Sequence, residues 1–189
     1  MASNFMNYSI GNNSKKYTIE EVVQMEGCAE LIDGELIITD KTTVTHQRAV
    51  RLIVRALEQF IEKNKGTCEV FFENIALYCN ELCDNVDNLF LPDVMSVCER
   101  SGIKDDGVHV VPRFIAEITS DSTKKNDFNT KLDIYKKIGV DEYWIVDIQK
   151  KMVHIYLKEE DYVPIVLFHP DLVKVSVYQN LSIDLSTIF

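Results

Sequence analysis

The chain has 189 residues and a formal net charge of −10, with 46% hydrophobic and 26% charged residues. This composition predicts an ordinary globular protein, with residues 1–16 as a polar N-terminal segment and residues 17–189 as a single domain. No apolar run reaches the roughly 20 residues that span a bilayer, and the N-terminus lacks a signal-peptide pattern, so we expect a cytoplasmic protein without membrane contact. The acidic balance argues against a large generic surface for phosphates, although a bound metal ion and a local basic patch could still hold one phosphate.

The five cysteines are odd in number and lie in apolar segments, a pattern typical of reduced core thiols rather than of a disulfide framework. Cys79 and Cys83 could form half of a zinc site. No second pair of Cys or His stands nearby at ligand spacing, and a structural zinc site needs four ligands, so we do not expect zinc.

The N-terminal part predicts a short helix and a β-hairpin. Thr18 is a candidate N-cap for a helix within residues 17–25, which Gly27 ends. Two β-prone runs, residues 29–32 and 35–38, flank Asp33-Gly34, a dipeptide that favours a tight type I′ turn.

A long helix follows over residues 46–63, where apolar residues recur with helical spacing. The candidate caps are Thr42, Thr43 and Thr45. His46 falls within the apolar stripe, so it is either a core histidine or one that points toward a site at the start of the helix.

The rest of the chain predicts mainly strands with one further helix, over residues 126–139. The β-type runs are residues 68–72, 75–79, 89–98, 108–119, 142–148, 152–157, 162–168 and 172–177. Together these elements predict an α/β domain with a mixed, largely β sheet and two main helices.

Two carboxylates stand out in this pattern, because Asp93 begins one apolar strand and Glu117 lies inside the next. Neighbouring strands lie about 4.8 Å apart, so the two acids can be brought together, where they would repel unless a cation such as a divalent metal lay between them. Side chains alternate along a strand, so Glu117 and Thr119 share a face. Ile118 can then pack in the core while its backbone carbonyl remains available as a metal ligand.

Lys131 is a lysine placed within the apolar face of the second main helix, between Tyr135 and Ile138 on the helical wheel. Lysines avoid such positions unless they are paired. Asp127, Asp93 and Glu117 are the candidate partners. The alternative is a lysine whose stem covers apolar surface while its ammonium group reaches water.

Taken in order, these residues resemble the PD-(D/E)XK nuclease superfamily and, more closely, the Uma-type family of restriction endonucleases. The matching stretches are Glu30-Leu31-Ile32-Asp33-Gly34-Glu35-Leu36, His46, Pro92-Asp93, Glu117-Ile118-Thr119-Ser120, Ser122-Thr123, Asp127, Lys131, Tyr135 and Gly139-Val140-Asp141-Glu142-Tyr143-Trp144-Ile145-Val146-Asp147. Each stretch is short, and their order along the chain makes the match specific.

The resemblance implies a restriction-endonuclease-like fold with an N-terminal hairpin and extra C-terminal strands. It implies that Asp93, Glu117 and the Ile118 carbonyl bind Mg²⁺ or Mn²⁺. Where the superfamily keeps a lysine, two residues after the acid, this chain has Thr119, and Lys131 is the substitute. The residues expected in support are Glu30 as a further acid, Asp127, and His46 and Tyr135 at the rim.

The activity implied is metal-assisted hydrolysis of DNA phosphodiester bonds. Two alternatives remain open at this point: a catalytically degenerate binding or assembly module on the nuclease fold, and a small-molecule phosphohydrolase, which an acidic surface would suit. The C-terminal β-type runs either extend the sheet or form a homodimer, which would place two sites on the two strands of a duplex.

Overall fold

A computed structural model of the chain describes residues 15–25, 29–38, 42–83, 87–120 and 123–189. Most of the predicted N-terminal segment, and the helix end predicted at Gly27, lie outside these residues. Within the described ranges, no helix is both long enough and apolar enough to cross a bilayer.

The first two helices begin where the sequence predicts capping residues. Thr18 forms a capping box with Glu21 at the start of α1, and Thr43 caps α2 by accepting a hydrogen bond from the backbone NH of His46. The second main helical segment, residues 124–138, contains a π-helical turn, Asp127–Lys131, between two α-helical parts. The α-helices are α1 (Ile19–Val23), α2 (Val44–Lys63), α3 (Lys124–Asn126) and α4 (Leu132–Ile138).

Fourteen strands in the described residues form three sheets. Their bounds are β1 (Ala29–Ile32), β2 (Glu35–Ile38), β3 (Glu69–Phe72), β4 (Leu77–Tyr78), β5 (Leu89–Phe90), β6 (Val94–Val97), β7 (Ile103–Lys104), β8 (Gly107–Val108), β9 (Phe114–Thr119), β10 (Glu142–Asp147), β11 (Met152–Leu157), β12 (Ile165–Phe168), β13 (Leu172–Val175) and β14 (Leu181–Asp184). The first sheet has the order β2-β1-β5-β4-β8-β7, the second β12-β11-β10-β9-β6-β3, and the third pairs β13 with β14. The mixed α/β architecture predicted from the sequence is confirmed, including the hairpin at Asp33-Gly34, where both residues have positive φ.

Two of the predicted strands are each divided in the structure between the first and second sheets. Residues 89–98 contain β5 and β6, and residues 108–119 contain β8 and β9. Each break includes a proline, Pro92 or Pro112, whose missing NH cannot donate to a sheet ladder. The first break places Asp93 at the junction of the two sheets.

The register of the second sheet brings the two predicted acids together. Antiparallel pairing aligns Val94 of β6 with Ala116 of β9, so Asp93 and Glu117 are the next opposed pair. Side chains alternate along β9: Ala116 and Ile118 face the core that α2 covers, whereas Ile115 faces the core that α4 covers. Glu117 shares the face of Ile115 and is directed toward α4.

The expectation of reduced thiols is wrong for two cysteines, because Cys68 and Cys98 form a disulfide. They flank the antiparallel pair β3 and β6, where Glu69 opposes Val97, so strand pairing sets the two cysteines directly opposite each other. Cys79 and Cys83 are buried free thiols, as expected.

Glu142 is a buried carboxylate at the start of β10 that is 0% exposed. It accepts hydrogen bonds from Trp144 Nε1 at 2.6 Å and from the backbone NH of Val177 at 2.8 Å. Burial outweighs these bonds and raises the pKa of Glu142 to about 7. The protonated acid is therefore the form that suits the folded state.

We expect the stability contributed by protonated Glu142 to be complete below its unfolded pKa near 4.5 and to be lost as the pH rises through about 7. A shift of this size corresponds to about 3 kcal/mol. Urea unfolding of the natural protein and of Glu142→Gln, from about pH 4 to about pH 8, measures this loss as a change in their difference. A difference that stays constant across this range would show that the carboxyl group does not titrate in this way.

Candidate active site

The predicted site residues converge on one cavity of about 380 Å³ at the end of β9. Its walls come from β1, the segment between β5 and β6, the first turn of α2 and the π-helical turn. The residues that line it are Glu30, Thr42, Thr43, Thr45, His46, Leu91, Asp93, Glu117, Ile118, Thr119, Ser120, Thr123, Asp127, Lys131, Ile148 and Gln149. All of the predicted site residues except Tyr135 are among them.

Asp93 and Glu117 are held against each other by backbone hydrogen bonds. The NH of Ile118 donates to Asp93 Oδ2 at 2.7 Å. The NH of Asp93 lies 3.4 Å from Glu117 Oε2. Each carboxylate is thereby oriented by the strand that carries the other, and the preorganised pair does not depend on long flexible side chains.

Lys131 lies at the centre of three carboxylates and is only 4% exposed. Its Nζ is 2.8 Å from Glu30 Oε1, 3.0 Å from Glu117 Oε1 and 3.6 Å from Asp127 Oδ1. The lysine therefore is not a solvent-reaching surface residue, and Glu30, expected only as a supporting acid, is its nearest partner. Glu30 Oε1 also accepts a hydrogen bond from the NH of Leu91 at 2.9 Å.

Tyr135 lies beneath the cavity and not at its rim, where we expected it, because it is 0% exposed. Its hydroxyl donates to Glu117 Oε1 at 3.0 Å. The same oxygen is bonded to Lys131, so Glu117 Oε1 is occupied by two donors. Glu117 Oε2 is left on the side of Asp93.

The charges in the cavity do not balance. Four carboxylates, those of Glu30, Asp93, Glu117 and Asp127, stand around one ammonium group. Burial raises the pKa of Glu117 well above its usual range, and the neighbouring carboxylates raise it further, while Lys131 opposes them. Burial lowers the pKa of Lys131, but the surrounding carboxylates outweigh it and raise that pKa, so Lys131 stays charged. The crowding of carboxylates that raises the pKa of Glu117 favours additional positive charge in the cavity, which a proton on Glu117 or a bound cation can supply.

His46 enters the cavity from the first turn of α2. Its Nε2 lies 3.2 Å from Asp93 Oδ1 and 3.5 Å from Glu73 Oε1. No aligned hydrogen bond satisfies this buried nitrogen among the described residues. Burial lowers the pKa of His46, but Asp93, Glu73 and the backbone of Ile118 together raise it. One ligand atom from each of His46, Glu73 and Asp93 lies within 4.8 Å of the others, so the three side chains could hold a metal ion.

Glu73 is a residue of this cluster that we did not predict from the sequence. It follows β3, and because Phe72 opposes Val94, Glu73 stands next to Asp93, whose carbonyl accepts its backbone NH at 3.2 Å. Glu73 and Asn74 both have positive φ, which ends the strand there. Only the pairing of β3 with β6 would have identified Glu73 in advance.

Thr119, which the resemblance places where the superfamily keeps a lysine, is buried at the wall of the cavity. Burial raises the pKa of Asp127, although Lys131 and hydrogen bonds from Thr119 and Thr123 act to lower it. Thr119 therefore interacts with the helix that carries Lys131. Asp121 and Ser122, between these threonines, lie outside the described residues.

We expect Lys131→Met to destabilise the protein by about 3–5 kcal/mol, because it leaves buried carboxylates without their cation. Adding Glu117→Gln removes one of those carboxylates, so the double variant should recover part of the loss. Urea unfolding of the two single variants and the double variant gives the coupling energy.

Lys136→Met is the matched control, since Lys136 lies on the same helix, is 48% exposed and pairs with a 91% exposed Asp161. Its effect should stay below about 1 kcal/mol. Purely additive losses for Lys131 and Glu117 would contradict the ion cluster described above.

Comparisons with known proteins identify the family and the fold. The chain matches the Uma2 family, described as "Putative restriction endonuclease", over residues 19–186. A crystal structure from Anabaena variabilis, described as "a putative nuclease belonging to DUF820", superposes with a TM-score of 0.73 at 20% identity, covering 91% of this chain and 97% of that one. No curated protein matches the chain. The match over most of its length, together with the shared fold, makes this chain a member of the Uma2 restriction endonuclease family.

Proposed function

We propose that the protein is a metal-dependent endonuclease that hydrolyses DNA phosphodiester bonds at the cavity around Asp93. The observation that carries the proposal is the opposition of Asp93 and Glu117 on adjacent strands, with the buried Lys131 ammonium 3.0 Å from Glu117. The resemblance to the PD-(D/E)XK nuclease superfamily implies an active site with the same combination of two acids and a lysine. The family membership and the nuclease fold support the same activity.

The donor atoms fit a divalent metal ion. Asp93 is shared between two sets: the predicted ligands Glu117 and the Ile118 carbonyl, and the observed neighbours His46 and Glu73. The unsatisfied His46 Nε2 and the excess of carboxylates both favour a cation there. Carboxylate ligands suit Mg²⁺ and Mn²⁺ alike, whereas an imidazole ligand favours a transition-metal ion, so we propose Mn²⁺ where His46 takes part.

When bound, such an ion supplies a water of lowered pKa and charge neutralisation at the scissile phosphate. The chain's own residues set the geometry around it. Lys131 and Tyr135 hold one oxygen of Glu117, which keeps the other oxygen beside Asp93. The ammonium group of Lys131 lines the cavity and is positioned to stabilise negative charge that develops on the phosphate.

The start of α2 also suits an anion. Thr43 and His46 line the cavity at the N-terminal end of this 20-residue helix, and its first turn carries no acid. The positive end of the helix dipole therefore faces the place where we propose that the phosphate binds.

We expect plasmid and single-stranded DNA to be cleaved in the presence of Mn²⁺ or Mg²⁺, and Asp93→Asn to lower the rate by at least about 100-fold. Gel electrophoresis of time courses measures the rates. Asp133→Asn is the matched control, because Asp133 is an exposed acid of α4 outside the cavity and its loss should leave the rate unchanged.

Equal rates for the natural protein and Asp93→Asn would reject the proposal. A degenerate module would show no cleavage and no Mn²⁺ binding that depends on Glu117, which calorimetric titration of Glu117→Gln measures. Turnover of small phosphate esters in place of DNA would identify the phosphohydrolase alternative.

We also propose that two copies act together on a duplex, associating through the edge strand β12. This strand ends the second sheet, and Ile165 and Phe168 on it are 41% and 70% exposed. An exposed apolar edge strand is a template for pairing with another chain.

We expect sedimentation equilibrium to show twice the chain mass, and Phe168→Glu to shift the protein to a monomer with unchanged helix content. The control is Lys104→Glu, an exposed surface change on β7 of the first sheet, away from β12. A monomeric natural protein would contradict the pairing.

A further inference from the structure

A second cleft, of about 690 Å³, runs along α2 beyond the cavity described above. One wall consists of Arg48, Arg51, Arg55 and Gln59 of α2, and the other of residues from 182–188 at the C-terminal end. The three arginines are spaced at i, i+3 and i+7, which places them on one face of the helix. We call them the arginine row.

The arginine row carries positive charge that the protein does not neutralise. The chain has five arginines. Arg100 pairs with Glu69 at 3.1 Å, and Arg113 lies 5.5 Å from the centre of the Tyr178 ring. Within the described part of the chain, the side chains of these three arginines make no ion pair or hydrogen bond.

Among the described residues, the one acid that lines the cleft, Asp184, offsets at most one of the three positive charges and forms no ion pair with the row. Its Oδ1 accepts hydrogen bonds from the backbone NH and the hydroxyl of Ser186 at 2.9 Å and 2.6 Å. Like charges at i, i+3 and i, i+4 destabilise a helix. An unpaired row of three in a chain of net charge −10 is therefore suited to an external anion.

The position and the length of the arginine row indicate which anion fits it. The first turn of α2 lines the candidate active site. Arg48 lies about 3 Å farther along the same helix than His46 and about 200° around its axis, so the arginine row follows the exposed outer face of the helix that borders the site. From Arg48 to Arg55 the helix rises about 10 Å. That length corresponds to about three phosphates of one DNA strand along the duplex axis. Guanidinium groups bind phosphate oxygens in bidentate fashion.

We propose that the arginine row binds the phosphodiester backbone of DNA that flanks the scissile phosphate. The proposal rests on the nuclease function proposed above. The row positions the DNA without touching the reacting atoms, and its contacts carry no sequence preference, since they are made to the backbone alone. It supplies the local basic patch that an acidic nuclease requires.

The test measures DNA binding without cleavage, so that it does not depend on catalysis. Fluorescence anisotropy follows a labelled duplex on the Asp93→Asn protein across a series of salt concentrations. Adding Arg48→Gln, Arg51→Gln and Arg55→Gln should lower the affinity at least about tenfold and reduce the slope of log K against log salt by about 3. A matched variant with Lys65→Gln, Lys104→Gln and Lys151→Gln removes the same charge from exposed positions elsewhere and should keep the slope within about 1.

A second variant keeps the proposal falsifiable if the glutamine variant folds poorly. Replacing the three arginines by lysine retains the charge, so the salt slope should be retained while the affinity falls. In cleavage assays of otherwise natural protein, the glutamine variant should raise KM and leave kcat unchanged.

The outcomes separate the two proposals. An unchanged salt slope in the glutamine variant overturns the arginine row even if the natural protein cleaves DNA, and so does a natural protein without measurable affinity for duplex. A slope reduced by about 3 in a protein that never cleaves DNA supports the row and rejects the nuclease function. A changed oligomeric state with unchanged DNA binding shows that the cleft holds a second copy of the chain instead, and also overturns it.

Discussion

The site depends on a buried ammonium group surrounded by carboxylates from three separate parts of the chain. Glu30 comes from the N-terminal hairpin, Glu117 from the central sheet and Asp127 from the same helical segment as Lys131. None of these charges could be buried alone, because an isolated ion in a protein interior costs several kcal/mol. The hairpin, the sheet and the helix must therefore pack together so that the Lys131 ammonium and the carboxylates neutralise one another. The cavity forms where these three elements meet.

The carboxylates of the cavity outnumber the single ammonium group of Lys131, and this excess favours the binding of a metal ion. A cluster that was neutral by itself would be a structural ion pair with little use for a ligand. Here the excess of negative charge lies around Asp93, and His46 and Glu73 add donor atoms on the α2 side of that residue. The same carboxylate is therefore available to the lysine cluster on one side and to a metal ion on the other.

Local patterns in the sequence predicted most of the fold. The caps at Thr18 and Thr43, the turn at Asp33-Gly34 and the alternation around Glu117 are short-range features, and each is present in the structure. Lys131 was found because a charged residue broke an apolar helical face. Long-range strand pairing could not be predicted from these local patterns. The pairing of β3 with β6 brings Cys68 to Cys98 and Glu73 to Asp93. Neither contact is visible in the local spacing of residues along the sequence.

The π-helical turn that carries Asp127 and Lys131 depends on contacts outside its own helix. Such turns are rare, and they are found most often where function requires a helix to depart from regular geometry. Both charged residues at its ends are buried in the ion cluster, and the Tyr143 hydroxyl donates to the carbonyl of Asp127 at 3.1 Å. These contacts to the rest of the molecule stabilise the wider turn, so the geometry of this helix depends on the ion cluster as well as on its own backbone.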